Sequence, residues 1–342
     1  MNQKPIAVWL LICCATVFAM IVLGGVTRLT GSGLSMVEWE PIMGILPPLS
    51  QTQWEETFLL YQQFPEYKLK NAGISLDGFK SIFWFEYAHR VLGRSIGIVF
   101  LLPFLFFMAT RRVDRTLAPK LIAMFVLGGL QGLLGWYMVK SGLINVPHVS
   151  QYRLTAHLGL AVVIYFYMLW VALDLLYPKT DDDAKHANRK LARFSFVITF
   201  MIFLTILSGG FVAGLRAGLA YNTFPLMDGQ WIPDGLLSLS PMWRNFFENV
   251  TTVQFDHRVL AMLLFAMVLL LWGVLSRSEQ DSRVRTGGHL LLAALALQIA
   301  LGISTLLLHV PVALGAAHQG GAIVLFTASV FLSHQLRGHT TG

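Results

Sequence analysis

Cysteine is nearly absent: the 342 residues hold two, Cys13 and Cys14, adjacent inside one apolar run. That excludes a disulfide framework between loops and leaves no CxxCH motif, so the pair reads as packing. Charge is scarce as well, with Asp, Glu, Lys and Arg at 13% of the chain against 55% hydrophobic residues. Such a composition lies outside the range of soluble globular domains and inside that of polytopic membrane proteins. A formal charge of +7 does not mark a nucleic-acid partner, because the Lys and Arg gather in a few short segments and form no basic face.

What the chain has in quantity is apolar length. A bilayer crossing takes about 20 largely apolar residues at about 1.5 Å each. Eight runs qualify: Ala7–Val26, Ile82–Met108, Pro119–Val139, Leu154–Leu176, Phe194–Ala213, Thr251–Leu275, Gly287–Leu308 and Leu314–Gln335. The first is longer than the apolar region of a signal peptide and no A-x-A site follows, so it is expected to be a permanent helix. Short segments rich in Lys and Arg follow the second, fourth and sixth runs (Arg111, Arg112, Arg115; Lys179, Lys185, Arg189, Lys190; Arg277, Arg283, Arg285). By the positive-inside rule these face the cytoplasm, as do both termini.

Two long segments, 27–81 and 214–250, then belong on the outer side. Within the first, "SQTQWEETFLLYQQF" carries a capping-box pattern at Ser50 and Gln53, with Trp54, Phe58 and Tyr61 on one face. That predicts a helix lying on the outer membrane surface, with Glu55, Glu56 and Glu66 on its solvated side.

The chain repeats itself. "FEYAHRVLG" (85–93) echoes "VQFDHRVLA" (253–261), "GGVTRLTGSGLS" echoes "GGFVAGLRAGLA", "GGLQGLLG" echoes "LALQIALG", and "RLTAHLGLAVVIYF" echoes "LGAAHQGGAIVLF". Four spans per unit is an even number, so the two halves face the same way, related by an axis along the membrane normal. The expected fold is an all-α polytopic membrane protein of eight transmembrane helices, arranged as two tandem, same-orientation four-helix bundles, 1–180 and 181–342.

On that map His89 and His157 fall in spans two and four, and His257 and His318 in spans six and eight, each about two turns, or roughly 10 Å, from the outer end. Ionisable groups at such depth are costly in lipid and point to a site inside the bundle. A lone histidine there reads as a hydrogen-bonded packing residue; two pairs related by a repeat read as ligands. Two imidazoles from facing helices suit the axial positions of a haem iron, whereas zinc or a di-iron centre takes more protein ligands. Arg90 and Arg258, each following a histidine, either pair with haem propionates or snorkel to headgroups. Glycines such as Gly128, Gly129, Gly132, Gly135, Gly315, Gly320 and Gly321 either bring helix backbones together or clear room for a flat ring.

Glu86 aligns with Gln254, so only the first half has a carboxylate one helical turn from its histidine. It serves proton transfer there or simply pairs with Arg28 or Arg90. His148 and His309 precede a proposed ligand by nine residues each, next to prolines, and are weaker candidates. His186, His289, His334 and His339 are expected at the cytoplasmic side, solvated or interfacial.

The set "GGVTRLTGSGLSMVEWEPIMGILPP", "FEYAHRVLGR", "LGGLQGLLGWYMVKSGL", "YRLTAHLGLA", "YNTFPLMDG" and "FDHRVLA" resembles the haem A synthase family, in its alphaproteobacterial and mitochondrial branch, over nearly the whole chain. The resemblance implies oxidation of the C8 methyl group of haem O to a formyl group, giving haem A for terminal cytochrome oxidases. It implies haem b on His257 and His318 in the second half, with haem O or its product on His89 and His157 in the first. It places the protein in a bacterial inner membrane, among lipid, with haem O synthase upstream and a membrane electron acceptor. Cysteine pairs present in the outer loops of some relatives are missing. Two rivals remain open: a dihaem b-type cytochrome that only carries electrons, and a parallel-repeat transporter. The residues leave a homo-oligomer open too.

Overall fold

The computed structural model describes residues 3–37, 46–142, 149–178, 189–278 and 281–337. Among these residues eight helices are long and apolar enough to cross a membrane. They are Lys4–Leu29, Leu76–Ala109, Ala118–Gly142, Gln151–Leu176, Arg189–Leu215, Val250–Arg277, Ser282–Leu307 and Val312–Leu336, here called spans one to eight. All eight apolar runs are therefore helical, and no strand occurs among the described residues.

Several boundaries are fixed by side-chain caps. Ser75 accepts from the Gly78 amide at the start of span two, Asn249 from Thr251 and Thr252 before span six, and Asp281 from Arg283 before span seven. Each satisfies amides that the first helical turn leaves unpaired. Span two starts at Leu76, six residues before its apolar run, because Ser75 nucleates the helix beyond the bundle.

That extension changes the reading of the surface helix. Gln51–Tyr61 forms with the expected capping box at Ser50 and Gln53. Its Trp54 and Tyr61 are buried not against lipid but against Phe79 and Phe83 of span two, with ring centroids 4.9 Å apart for Trp54–Phe83 and 5.0 Å for Tyr61–Phe79. Glu55 and Glu56 are exposed as expected, whereas Glu66 is buried, within 3.4 Å of the Tyr61 hydroxyl. Burial raises the Glu66 carboxyl to about 7; the Glu86 charge adds to the rise, and Lys70 opposes it.

Packing neighbours follow the repeat. Span one touches two and four, three touches two and four, five touches six and eight, and seven touches six and eight; spans one, four, five and eight meet along the middle. Small and hydroxyl residues line that middle seam. Thr199 bonds Ser329 at 2.7 Å, Ser195 bonds Ser333 at 2.7 Å, and the Gln319 amide donates to the Ile21 carbonyl at 2.7 Å. Arg28 donates to the carbonyls of Ala213 and Gly214, satisfying the free end of span five. Cys13 and Cys14 are buried free thiols in the core.

At the end carrying the chain termini, His334 corrects the sequence expectation. It is fully buried, its Nε2 2.9 Å from Asp174 Oδ1 and its ring edge-on to Trp170, with Arg337 on the same carboxylate. Neighbouring span four supplies the carboxylate that makes this burial tolerable. His289 is exposed and pairs with Trp272; His186 and His339 lie outside the described residues.

Two outcomes test this account. A Cβ on Gly214 would stand 2.7 Å from the Gln151 Cα, whereas one on Gly128 would meet nothing within 4 Å. Gly214→Val is expected to lower the melting temperature in detergent by the overpacking cost of about 1–3 kcal/mol, with Gly128→Ala close to neutral. For Glu66, the folded carboxyl holds its proton to a higher pH than the unfolded one, so stability falls as pH rises from 4.5 to about 7 and is level outside that window. Proteolytic nicking of residues 46–75, normalised to an unstructured peptide, should rise across that window in the native protein and stay flat in Glu66→Gln.

Candidate haem site

Four histidines sit on four glycines. A Cβ built on Gly24, Gly135, Gly209 and Gly302 would lie 3.1, 3.0, 3.3 and 2.8 Å from Cε1 of His89, His157, His257 and His318 respectively. In each case an odd-numbered span offers a bare stretch of backbone and the next even-numbered span lays an imidazole edge on it. The repeated segments of sequence supply both partners, since Gly24 and Gly209 open the two "GG" motifs and Gly135 and Gly302 close "GGLQGLLG" and "LALQIALG". Of the glycines flagged from sequence, Gly135 thus seats a ligand, Gly315 and Gly320 abut Leu29 and Val22 across the middle seam, and Gly128, Gly129 and Gly132 face open space.

His157, His257 and His318 fall within the first two turns of their helices, as expected. His89 falls in the fourth turn because span two starts early. The rings of His257 and His318 have centroids 6.5 Å apart and stand at 85° to each other. Two metal–nitrogen bonds of about 2.0–2.1 Å on opposite sides of one iron, extended to the ring centres, span about 6 to 6.5 Å. The pair therefore fits an iron held by two axial imidazoles. In the first half, Nδ1 of His89 and of His157 is buried without a hydrogen-bond partner among the described residues. Among the described residues no three His, Cys, Asp or Glu converge, so the donor set suits a macrocycle that brings its own nitrogens better than a bare metal ion.

Around the second histidine of each pair the two halves keep the same glutamine, set against Nε2 of His157 and Nδ1 of His318. Gln131 and Gln298 donate to the backbone carbonyls of His157 and His318 at 3.0 and 2.9 Å and lie against the rings. These glutamines were not singled out from sequence, although their place in the repeat marks them.

The arginines do something sequence reading missed. Arg90 Nη2 pairs with Glu86 Oε1 at 2.6 Å and donates to the Met36 carbonyl at 2.6 Å, while Glu86 Oε2 accepts from the Ser35 hydroxyl and the Met36 amide, both at 2.8 Å. In the second half, Arg258 donates to the carbonyls of Tyr221 and Thr223 at 2.9 Å each, and Gln254 to Tyr221 at 3.0 Å. Each pair latches the segment that follows the first span of its own half onto the ligand helix. Glu86, of the two roles open to it, is engaged with Arg90, and both its oxygens are occupied; Arg28 is bonded elsewhere. His309 is exposed, at φ 61°, in the turn before span eight, away from the seated set. His148 lies outside the described residues.

The glycine seats predict their own test. Gly302→Val should push His318 off the shared axis and weaken haem retention by about 1–3 kcal/mol, read as faster loss of haem to apomyoglobin, while Gly132→Ala retains it. The COX15-CtaA family, described as cytochrome oxidase assembly protein, matches residues 7–330. A protein named heme A synthase from Nitrosospira multiformis is 58% identical over 98% of this chain and 94% of its own length. One of that name from Parvibaculum lavamentivorans is 51% identical over 98% and 95%, and heme A synthase COX15 of Homo sapiens is 46% identical over 98% and 83%. Four histidines seated by a twofold repeat and this identity along nearly the full chain lead to one conclusion: the chain belongs to the COX15-CtaA family.

Proposed function

We propose that this protein is a membrane oxidoreductase that converts haem O to haem A for cytochrome oxidase. The observation that carries the reading is the doubled arrangement of facing imidazoles, one pair with ring centroids 6.5 Å apart. Relatives at 46–58% identity named heme A synthase favour conversion over electron carriage alone.

In this reading the two four-helix groups act as two bundles facing the same way. His257 and His318 hold a haem b iron, and His89 and His157 hold the substrate haem O. Bound in the second half, haem b supplies one-electron redox chemistry. The chain's residues do the rest: glycine seats orient the imidazoles, apolar helix walls exclude water, and the latched loops close the ends of both sites. In this reading Arg258, held on the carbonyls of Tyr221 and Thr223, meets the propionates, whereas Arg90 is paired with Glu86. Glu86, held by that latch one helical turn from His89, is the group that accepts a proton in this reading.

Orientation belongs to the same proposal. Basic residues at the termini end support its lying in the cytoplasm of a bacterial cell, with the haem sites toward the outer side. Haem O then arrives through the membrane from the enzyme that makes it, and electrons leave to a membrane acceptor.

Porphyrins extracted from the purified protein should be haem B together with haem O or haem A; haem B alone at two per chain would overturn the assignment of the first half. Glu86→Gln copies the bonding that Gln254 already makes. It should keep both haems, and conversion of haem O should fall by about 10²- to 10⁴-fold if the carboxylate transfers a proton; full conversion would reduce Glu86 to a loop clamp.

A further inference from the structure

The four seats are not equivalent. The residue before the seat glycine is Leu23, Leu134 and Leu301 in three of them, and Ser208 in the fourth. Ser208 Oγ lies 2.7 Å from Nδ1 of His257 and 2.8 Å from the Thr205 carbonyl. A hydroxyl has one proton. Given to the carbonyl, which can only accept, it leaves the oxygen lone pair to accept the Nδ1 proton of His257. That fixes one tautomer, with Nε2 unprotonated and free to bind iron. At the repeat-related position Leu23 offers no side-chain acceptor, and Nδ1 of His89 is buried with no partner among the described residues.

We infer, resting on the haem reading above, that Ser208 is a positioning residue that makes the second-half site a retaining site, and that Leu23 leaves the first-half site an exchanging one. An imidazole whose Nδ1–H is donated to an oxygen carries more electron density on Nε2 and is held in one orientation; both strengthen an axial bond and favour the ferric state. A bare imidazole beside Leu23 binds more weakly and turns more freely. The difference suits one haem that stays through many turnovers and another that enters as substrate and leaves as product. The glutamines behind the partner histidines donate to the histidine backbone carbonyl in both halves, and at the rings meet Nε2 of His157 and Nδ1 of His318.

The test uses the full-length protein in detergent with its native haem complement. Ser208→Ala should shift the haem b midpoint potential upward and speed transfer of that haem to apomyoglobin by about 10- to 100-fold, the range for losing an outer hydrogen bond to a metal-bound histidine. Ser208→Thr, which restores a hydroxyl, should return both toward the native values. In the reverse direction Leu23→Ser should slow release of haem from the first half without altering the haem b potential. An unchanged potential and transfer rate in Ser208→Ala, or no difference between its Ala and Thr replacements, overturns the inference while leaving the haem assignment standing. If the native protein carries no haem, the haem assignment falls first and this proposal with it. Should Ser208→Ala fail to fold, Leu23→Ser decides: unaltered release from the first half rejects the idea.

Discussion

Everything in this molecule is arranged around placing an imidazole ring against bare helix backbone inside an apolar bundle. A histidine side chain between two helices needs space that a β-carbon would fill, and the four seat glycines leave the Cε1 edges within 2.8–3.3 Å of where that carbon would be. Without a seat the ring would have to tilt or the helices part, and either would spoil the line between facing rings. Lipid gives helices little reason to associate beyond packing and polar contacts. The helices are therefore pinned elsewhere, span five to span eight by hydroxyl pairs such as Thr199–Ser329 and span one to the end of span five by Arg28.

The latches form a second layer built on the same helices. Glu86 and Gln254 leave the ligand helix one turn before the histidine and Arg90 and Arg258 directly after it, and together they grip backbone of the segment folding over it. One arrangement contains an ion pair; the other puts a neutral glutamine where the first has its carboxylate. Repeats often diverge in this way, keeping the geometry while altering the charge, and here the change falls beside the groups on which haem chemistry would depend.

Much of the fold was legible beforehand for a simple physical reason. In a bilayer every backbone group must be satisfied within its own helix, so apolar length translates directly into spans, and all eight were found. The capping box at Ser50 and Gln53 was equally local. What failed was anything requiring knowledge of the neighbour. Trp54 and Tyr61 looked ready for lipid until the extended start of span two brought Phe79 and Phe83 beneath them. Glu66 and His334 looked solvent-bound until Tyr61 and Asp174 were seen beside them.

By itself the sequence determined eight spans, a twofold repeat and two pairs of histidines, because each follows from hydropathy and periodicity along one chain. It also determined where the pairs fall, since helical rise converts residue number into depth. Only the tertiary structure decided which glycine lies under which ring, that the arginines hold loops, and that Ser208 alone among the residues preceding the seats bonds its imidazole. Those are contacts between helices distant in sequence, and their partners are set by rotation of one helix about its axis against another, a variable that no pattern along a single helix contains.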